Sequence, residues 1–151
     1  MTIEVRRATA ADLDCVCEFN RLLALETEGK NLEPELLRSG ATALLADAAK
    51  GHYFLAHEDG RVLGQTGLSY EWSDWRNGWF WWLQSVYVRP EARRRGVFRL
   101  LFESIRQAAR LDPQVIGVRL YVEANNTRAQ TTYRKMGLEP TTYQVMEQFP
   151  L

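Results

Sequence analysis

The sequence predicts a mixed α/β domain in which a mainly antiparallel sheet carries helices on both faces. Three observations predict it. Short runs of β-branched and aromatic residues alternate in polarity, amphipathic stretches of helical period lie between them, and a tight Glu58-Asp59-Gly60 turn makes neighbouring strands antiparallel. With 151 residues, 46% of them hydrophobic, the chain can bury a core without disulfides or a structural metal, so one domain over residues 1–151 is expected.

Each element has a local reason. Residues 3–7 alternate as a first strand, and Thr9-Ala10-Ala11-Asp12 offers an N-cap with an acid three positions later, opening a helix to about residue 25. Residues 26–31 read as a polar connector, and Pro34 at a first helical position opens a second helix to about residue 49. Residues 52–57 form a strand and residues 61–71 its hairpin partner, with Gly64 and Gly67 as bulge candidates. A loop over residues 72–78 leads to a long strand at residues 79–88, an arginine-rich turn, and a helix over about residues 94–111 that Pro113 ends. Residues 115–123 form a further strand, Asn125-Asn126 a cap, residues 127–136 a helix closed by Gly137, and residues 141–148 a last strand. The order is βααβββαβαβ.

Composition excludes several classes. Lys plus Arg and Asp plus Glu both total 19, so no global charge argues for nucleic acid or an anionic membrane, and neither is expected as a partner. Cys15 and Cys17 sit two apart in a helical pattern, which makes one a buried and one a surface thiol. His52 and His57 have no neighbour at metal-ligand spacing, so no metal site is expected. The N-terminal residues lack the apolar core of a signal peptide and no apolar run reaches membrane-spanning length, which predicts a cytoplasmic protein.

The positive charge is local. Seven arginines fall between Arg89 and Arg110, against Glu91 and Glu103 within that range and Asp112 just beyond it. Within this region Val88-Arg89-Pro90-Glu91-Ala92-Arg93-Arg94-Arg95-Gly96-Val97 joins the long strand to a helix. Free N–H groups at the start of that helix, its dipole and three consecutive arginines together suit a phosphate; a solvated arginine face is the alternative.

The same segment resembles the acyl-CoA pyrophosphate motif of GCN5-related N-acetyltransferases, in which Arg or Gln, two residues, and Gly precede a helix. Downstream, Asn126-Thr127-Arg128-Ala129-Gln130-Thr131-Thr132-Tyr133-Arg134-Lys135-Met136-Gly137-Leu138 is similar to that family's Asn-x-x-Ala-x-x-x-Tyr-x-x-x-Gly-(Phe/Leu) segment. The resemblance implies the fold of that superfamily over nearly the whole chain, acetyl-CoA as cofactor, and acetyl transfer to a primary amine of a small molecule or peptide. The other reading is a non-catalytic acyl-CoA-binding partner module of the same fold.

The resemblance also implies roles. The pantetheine arm pairs with main-chain groups of Val86 and Val88, with Tyr87 between them; the pyrophosphate meets Arg93, Arg94, Arg95, Gly96, Val97, Phe98 and Arg99; and Asn126 and Tyr133 complete the cofactor set. Tyr133 is the general acid, and the Val86 N–H polarises the carbonyl. Two positions depart from the family. Phe98 stands where Gly or Ala is usual, and Trp82 stands where some members carry a glutamate base. The base is therefore sought elsewhere, with Glu71 ranked before Glu26, Glu28 and Glu123.

All five tryptophans lie in the eleven residues 72–82. They read either as sheet core with a contact between two copies in a homodimer, or as the aromatic wall of an acceptor pocket. Glu26, Glu28, Trp82 and Gln84 are the acceptor-side candidates.

Overall fold

The computed structural model describes residues 2–151. They group into one unit ending at Tyr121 and a second spanning Val122–Leu151. Among these residues five strands form one sheet in the order β1 (Glu4–Arg7), β2 (His52–Glu58), β3 (Arg61–Ser73), β4 (Gly78–Val88) and β5 (Val115–Leu120). The first three pairings are antiparallel and β4 with β5 is parallel, so the expected mixed, mainly antiparallel sheet is formed. The β2–β3 hairpin turns at Asp59 and Gly60, both at positive φ, as a two-residue turn of the primed type requires.

Helices α1 (Leu13–Glu28) and α2 (Pro34–Ala46) cover one face, where Val16, Ala41 and Tyr53 pack with Leu13, Leu44 and Leu45. Helix α3 (Val97–Leu111) covers the other, where Val97 and Leu101 meet Ala56, Leu63, Phe54 and Val88. Tyr53 and Phe54 thus face opposite layers, as strand alternation demands. Val97, Leu101, Ile105 and Ala109 form the buried stripe of α3 at spacing four, and each large aliphatic side chain so buried contributes about 1.5–3 kcal/mol. Thr9 and Asp12 form the expected capping box, on a short 3₁₀ turn before α1; Arg6 donates twice to Asp12 and holds its carboxyl below the usual range. No helix among the described residues is long and apolar enough to cross a membrane.

Several boundaries differ from the sequence reading, each for a physical reason. Helix α1 continues to Glu28 because its terminator is Gly29 in the left-handed region, whose N–H reaches the Leu25 carbonyl; Glu26 and Glu28 therefore lie on a helix and not in a connector. Helix α3 starts at Val97, since Arg94 and Gly96 hold positive φ that a right-handed helix excludes. Strand β3 runs to Ser73, so Trp72 pairs with Trp79 within the sheet and the loop shortens to residues 74–77. Both cysteines are half-buried, and burial raises both thiols. Residues 141–148 form no strand: alternation supplies a pattern, but a strand also needs a hydrogen-bonding neighbour, and none pairs with them among the described residues.

In the second unit α4 (Thr127–Lys135) is capped by Asn126, whose side-chain oxygen accepts from the Ala129 N–H at 3.1 Å. Gly137 at φ 95° closes it, with the Leu138 N–H on the Tyr133 carbonyl.

Candidate active site

The site begins with an irregularity in the sheet. Gln65 pairs with Tyr87 and Gly67 with Gln84, so two steps along β3 match three along β4 and one residue of β4 is extra. This is a β-bulge, and Ser85 within it sits at φ 49°. Gly67, a bulge candidate from sequence, instead lies across from the bulge, while Gly64 adjoins a second register shift between β2 and β3. Fully buried Gln65 donates its side-chain amide to the Ser85 carbonyl at 3.1 Å. Gln65→Leu removes that donor inside the sheet, and urea unfolding is expected to show about 1–3 kcal/mol lower stability at an unchanged m value.

The bulge re-aims side chains. Cross-strand partners point the same way, so Tyr87 shares a face with Gln84, Trp82 and Phe80, whereas strict alternation from Gln84 would put Tyr87 on the other side. That face is the one under α1: the Tyr87 ring lies 5.1 Å from Phe19.

Next to the bulge β4 loses a neighbour. Pairing with β5 ends at Leu83 and Leu120, so residues 84–88 have β3 on one side and no strand on the other among the described residues. Alternate main-chain groups of this stretch therefore face outwards from an open edge.

The chain then enters the arginine turn. Gly96 holds φ 77°, and a Cβ built there would meet nothing within 4 Å, so glycine is needed for the backbone conformation and leaves the surface open. No side chain caps α3, which leaves first-turn N–H groups and the positive end of the helix dipole for an anion. Val97 is buried in the core and offers only its main chain. The Phe98 ring packs along α3, 6.2 Å from the Phe102 ring, and stays half-buried.

The arginines are not equivalent. Arg93 bonds the Val88 carbonyl and, at 2.7 Å, Glu26; Arg95 meets both oxygens of Glu58; Arg61 pairs with Glu91. Arg94 and Arg99 have no carboxylate partner among the described residues and are exposed. These two cations are the ones uncommitted at the turn.

Two carboxylates lie on the α1 face. Glu26 accepts from the Tyr87 hydroxyl at 3.2 Å as well as from Arg93, joining the end of α1 to β4 and the turn. Burial first, and Glu26 second, push the Tyr87 hydroxyl above its ordinary range. Glu71 accepts from the Trp82 indole at 3.2 Å and from Arg119 at 2.8 Å; Arg119 lies over the Phe80 ring at 3.6 Å, and Trp82 packs against Tyr121 at 4.6 Å. Gln84 donates to Ser69. Glu71, Trp82 and Gln84 thus share one surface, with Glu26 at the bulge end of β4, whereas Glu28 is exposed and pairs only with Lys30.

The sequence reading missed Gln65, Ser85, Arg119 and Tyr121. A lone arginine within an otherwise apolar strand was the signal for Arg119; the others carried none, because pairing made them matter. In the second unit Asn126 spends its side-chain oxygen on the α4 cap, and burial raises the Tyr133 hydroxyl above its ordinary range.

A family model described as the Acetyltransferase (GNAT) family matches residues 18–138. Among solved structures, a possible acetyltransferase from Clostridium difficile 630 is similar over 100% of this chain and 99% of its own, at 43% identity and a TM-score of 0.94. A probable acetyltransferase matches over 98% of this chain and 97% of its own, at 25% identity and a TM-score of 0.84. A predicted acetyltransferase from Clostridium acetobutylicum, solved with acetyl-CoA, matches over 97% and 96% at 14% identity and a TM-score of 0.79, a likeness of fold alone. Comparison with curated proteins returns no match.

Proposed function

The chain belongs to the GNAT acetyltransferase family, and from that premise we propose that it moves an acetyl group from acetyl-CoA to a primary amine of a small molecule or peptide, by direct transfer in a ternary complex. One observation carries this reading: the open edge of β4 at residues 84–88 runs directly into an uncapped helix N-terminus with two uncommitted arginines. An extended arm ending in a pyrophosphate fits that sequence of features, since strand addition suits the first and anion binding the second.

In this reading Val86 and Val88 hold the arm through their main chains, and the N–H groups from Arg94 to Arg99 hold the pyrophosphate, with Gly96 allowing close approach. Arg94 and Arg99 supply the free charge. Arg93 and Arg95 first have to leave, or share, their carboxylates. When bound, acetyl-CoA supplies a thioester whose acyl carbon accepts the amine nitrogen as its bond to sulfur breaks.

The chain's own groups move the protons. By the family resemblance the Tyr133 hydroxyl, which burial raises above its ordinary range, would supply a proton to the leaving thiolate, and the Val86 N–H would polarise the thioester carbonyl. Glu71, positioned by Trp82 and Arg119, takes the amine proton through water, with Trp82, Gln84 and Glu26 on the acceptor side. Glu71 brings a carboxylate next to the indole of Trp82, where the strand itself has none, and this supports turnover over the binding-only reading.

Calorimetry with CoA, followed by a free-thiol assay over a panel of primary amines, tests the reading. Binding of CoA and release of thiol with at least one amine are expected; no CoA binding would sink it. Arg94→Ala and Arg99→Ala are each expected to weaken CoA about tenfold and to flatten the salt dependence of binding, as losing one charge-assisted contact should.

A further inference from the structure

The proposed transfer leans on the direction of one peptide in β4, the unit joining Ser85 to Val86, and the bulge denies it the ordinary means of holding still. Register pairs Gln84 with Gly67 and Tyr87 with Gln65, so neither Ser85 nor Val86 has a partner residue on β3. Ser85 stands at φ 49°, a left-handed conformation that serine seldom takes. In a regular ladder, cross-strand bonds fix each peptide plane; an extra, unpaired residue has to be held by something else.

Gln65 holds it. The side chain is fully buried, and its amide N–H donates to the Ser85 carbonyl at 3.1 Å. That carbonyl and the Val86 N–H are the two ends of one planar trans unit and point in opposite directions, so holding one end aims the other. With the carbonyl turned to Gln65, the N–H is directed away from it, and beyond Leu83 no strand flanks the other side of β4 among the described residues. The far end of the same amide is informative. Gln65 Oε1 is buried with no hydrogen-bond partner among the described residues, and an amide kept in the core with its acceptor unpaired is better explained by the carbonyl it grips than by packing.

We infer that Gln65 is a positioning residue for the transfer: by gripping the Ser85 carbonyl it fixes the 85–86 peptide plane and keeps the Val86 N–H aimed at the thioester oxygen. This role rests on the transfer proposed above, in which that N–H polarises the carbonyl. Being fully buried, Gln65 acts through the backbone and not by touching cofactor or acceptor. Without its amide the plane can turn about the soft dihedrals of Ser85 and Val86. An N–H tilted off the acyl oxygen gives up most of a bond that strengthens as negative charge develops there. The loss falls on the transition state, because the arm and the pyrophosphate are held by other groups.

Gln65→Met removes the amide at similar length, and infrared difference spectra of bound acetyl-CoA, isotope-labelled at the acyl carbonyl, read the effect directly. Wild-type protein is expected to lower the thioester carbonyl stretch below its position in water. Gln65→Met is expected to move it back toward that position and to lower kcat about 10–100-fold, while CoA affinity by calorimetry stays within about twofold. Gln65→Glu adds a pH signature. Its buried carboxyl, raised by desolvation, donates to the Ser85 carbonyl while protonated and repels it once ionised, so band and kcat are expected near wild type at about pH 6 and lost relative to wild type by about pH 9. That variant decides the matter should Gln65→Met fail to fold by circular dichroism. A folded Gln65→Met with wild-type kcat and band overturns the inference and leaves the transfer standing, as does a Gln65→Glu that follows the wild-type pH profile. Wild-type protein that binds no CoA removes both.

Discussion

Tyr133→Phe is expected to lower kcat by about 10²–10⁴-fold while CoA affinity stays within about twofold. The change removes one oxygen and leaves the ring, so the packing of α4 is retained and the proton is lost. If the hydroxyl protonates the departing sulfur, its loss falls on the chemical step and not on binding. The pH dependence has a definite sign. Burial raises this hydroxyl above its ordinary value of 10.0, so the proton-bearing form persists through neutral pH, and this group takes activity away only as pH rises beyond about 10. Single-turnover assays from pH 6 to 11 measure both effects. A variant keeping most of its kcat, or losing only affinity, would make Tyr133 a packing residue.

Gly96→Asp is expected to weaken CoA by about 100-fold or more, from like-charge contact at the pyrophosphate cradle. Gly96 holds φ 77° with open space where a Cβ would project. Most side chains cost about 1–2 kcal/mol at such a φ, but Asp and Asn tolerate it best, so the turn should survive either substitution. Gly96→Asn is the neutral isostere and separates charge from backbone effects. It is expected to weaken CoA only a few-fold, with a melting temperature close to that of Gly96→Asp. Equal losses of affinity in the two variants would mean that no anion meets this turn.

The legible parts of the chain were those whose causes are local. The turn at Asp59 and Gly60, the Thr9–Asp12 box, Pro34, the buried stripe of α3 and Gly137 each act within a few residues, and each does in the structure what its spacing implied. The arginine turn was legible for the same reason: a turn that needs glycine and a helix without a side-chain cap are written in consecutive residues. Glu26 shows the limit. Its polarity suggested a loop, yet a glycine three residues later extends the helix through it and brings its carboxylate to Tyr87 and Arg93.

By itself, then, the sequence determined the element order as far as α4, the layers of the sheet and the arginine turn before α3, since propensity, capping and periodicity are short-range. Only the tertiary structure decided the bulge at Ser85, the parting of β4 from β5 after Leu83, and the gathering of Glu71, Trp82 and Arg119. Each of these is a matter of register between segments far apart in the chain, and one extra residue in a strand reverses which face every later side chain takes. For the same reason residues 141–148 have the pattern of a strand but no strand structure: pattern resides in one segment, whereas pairing requires two.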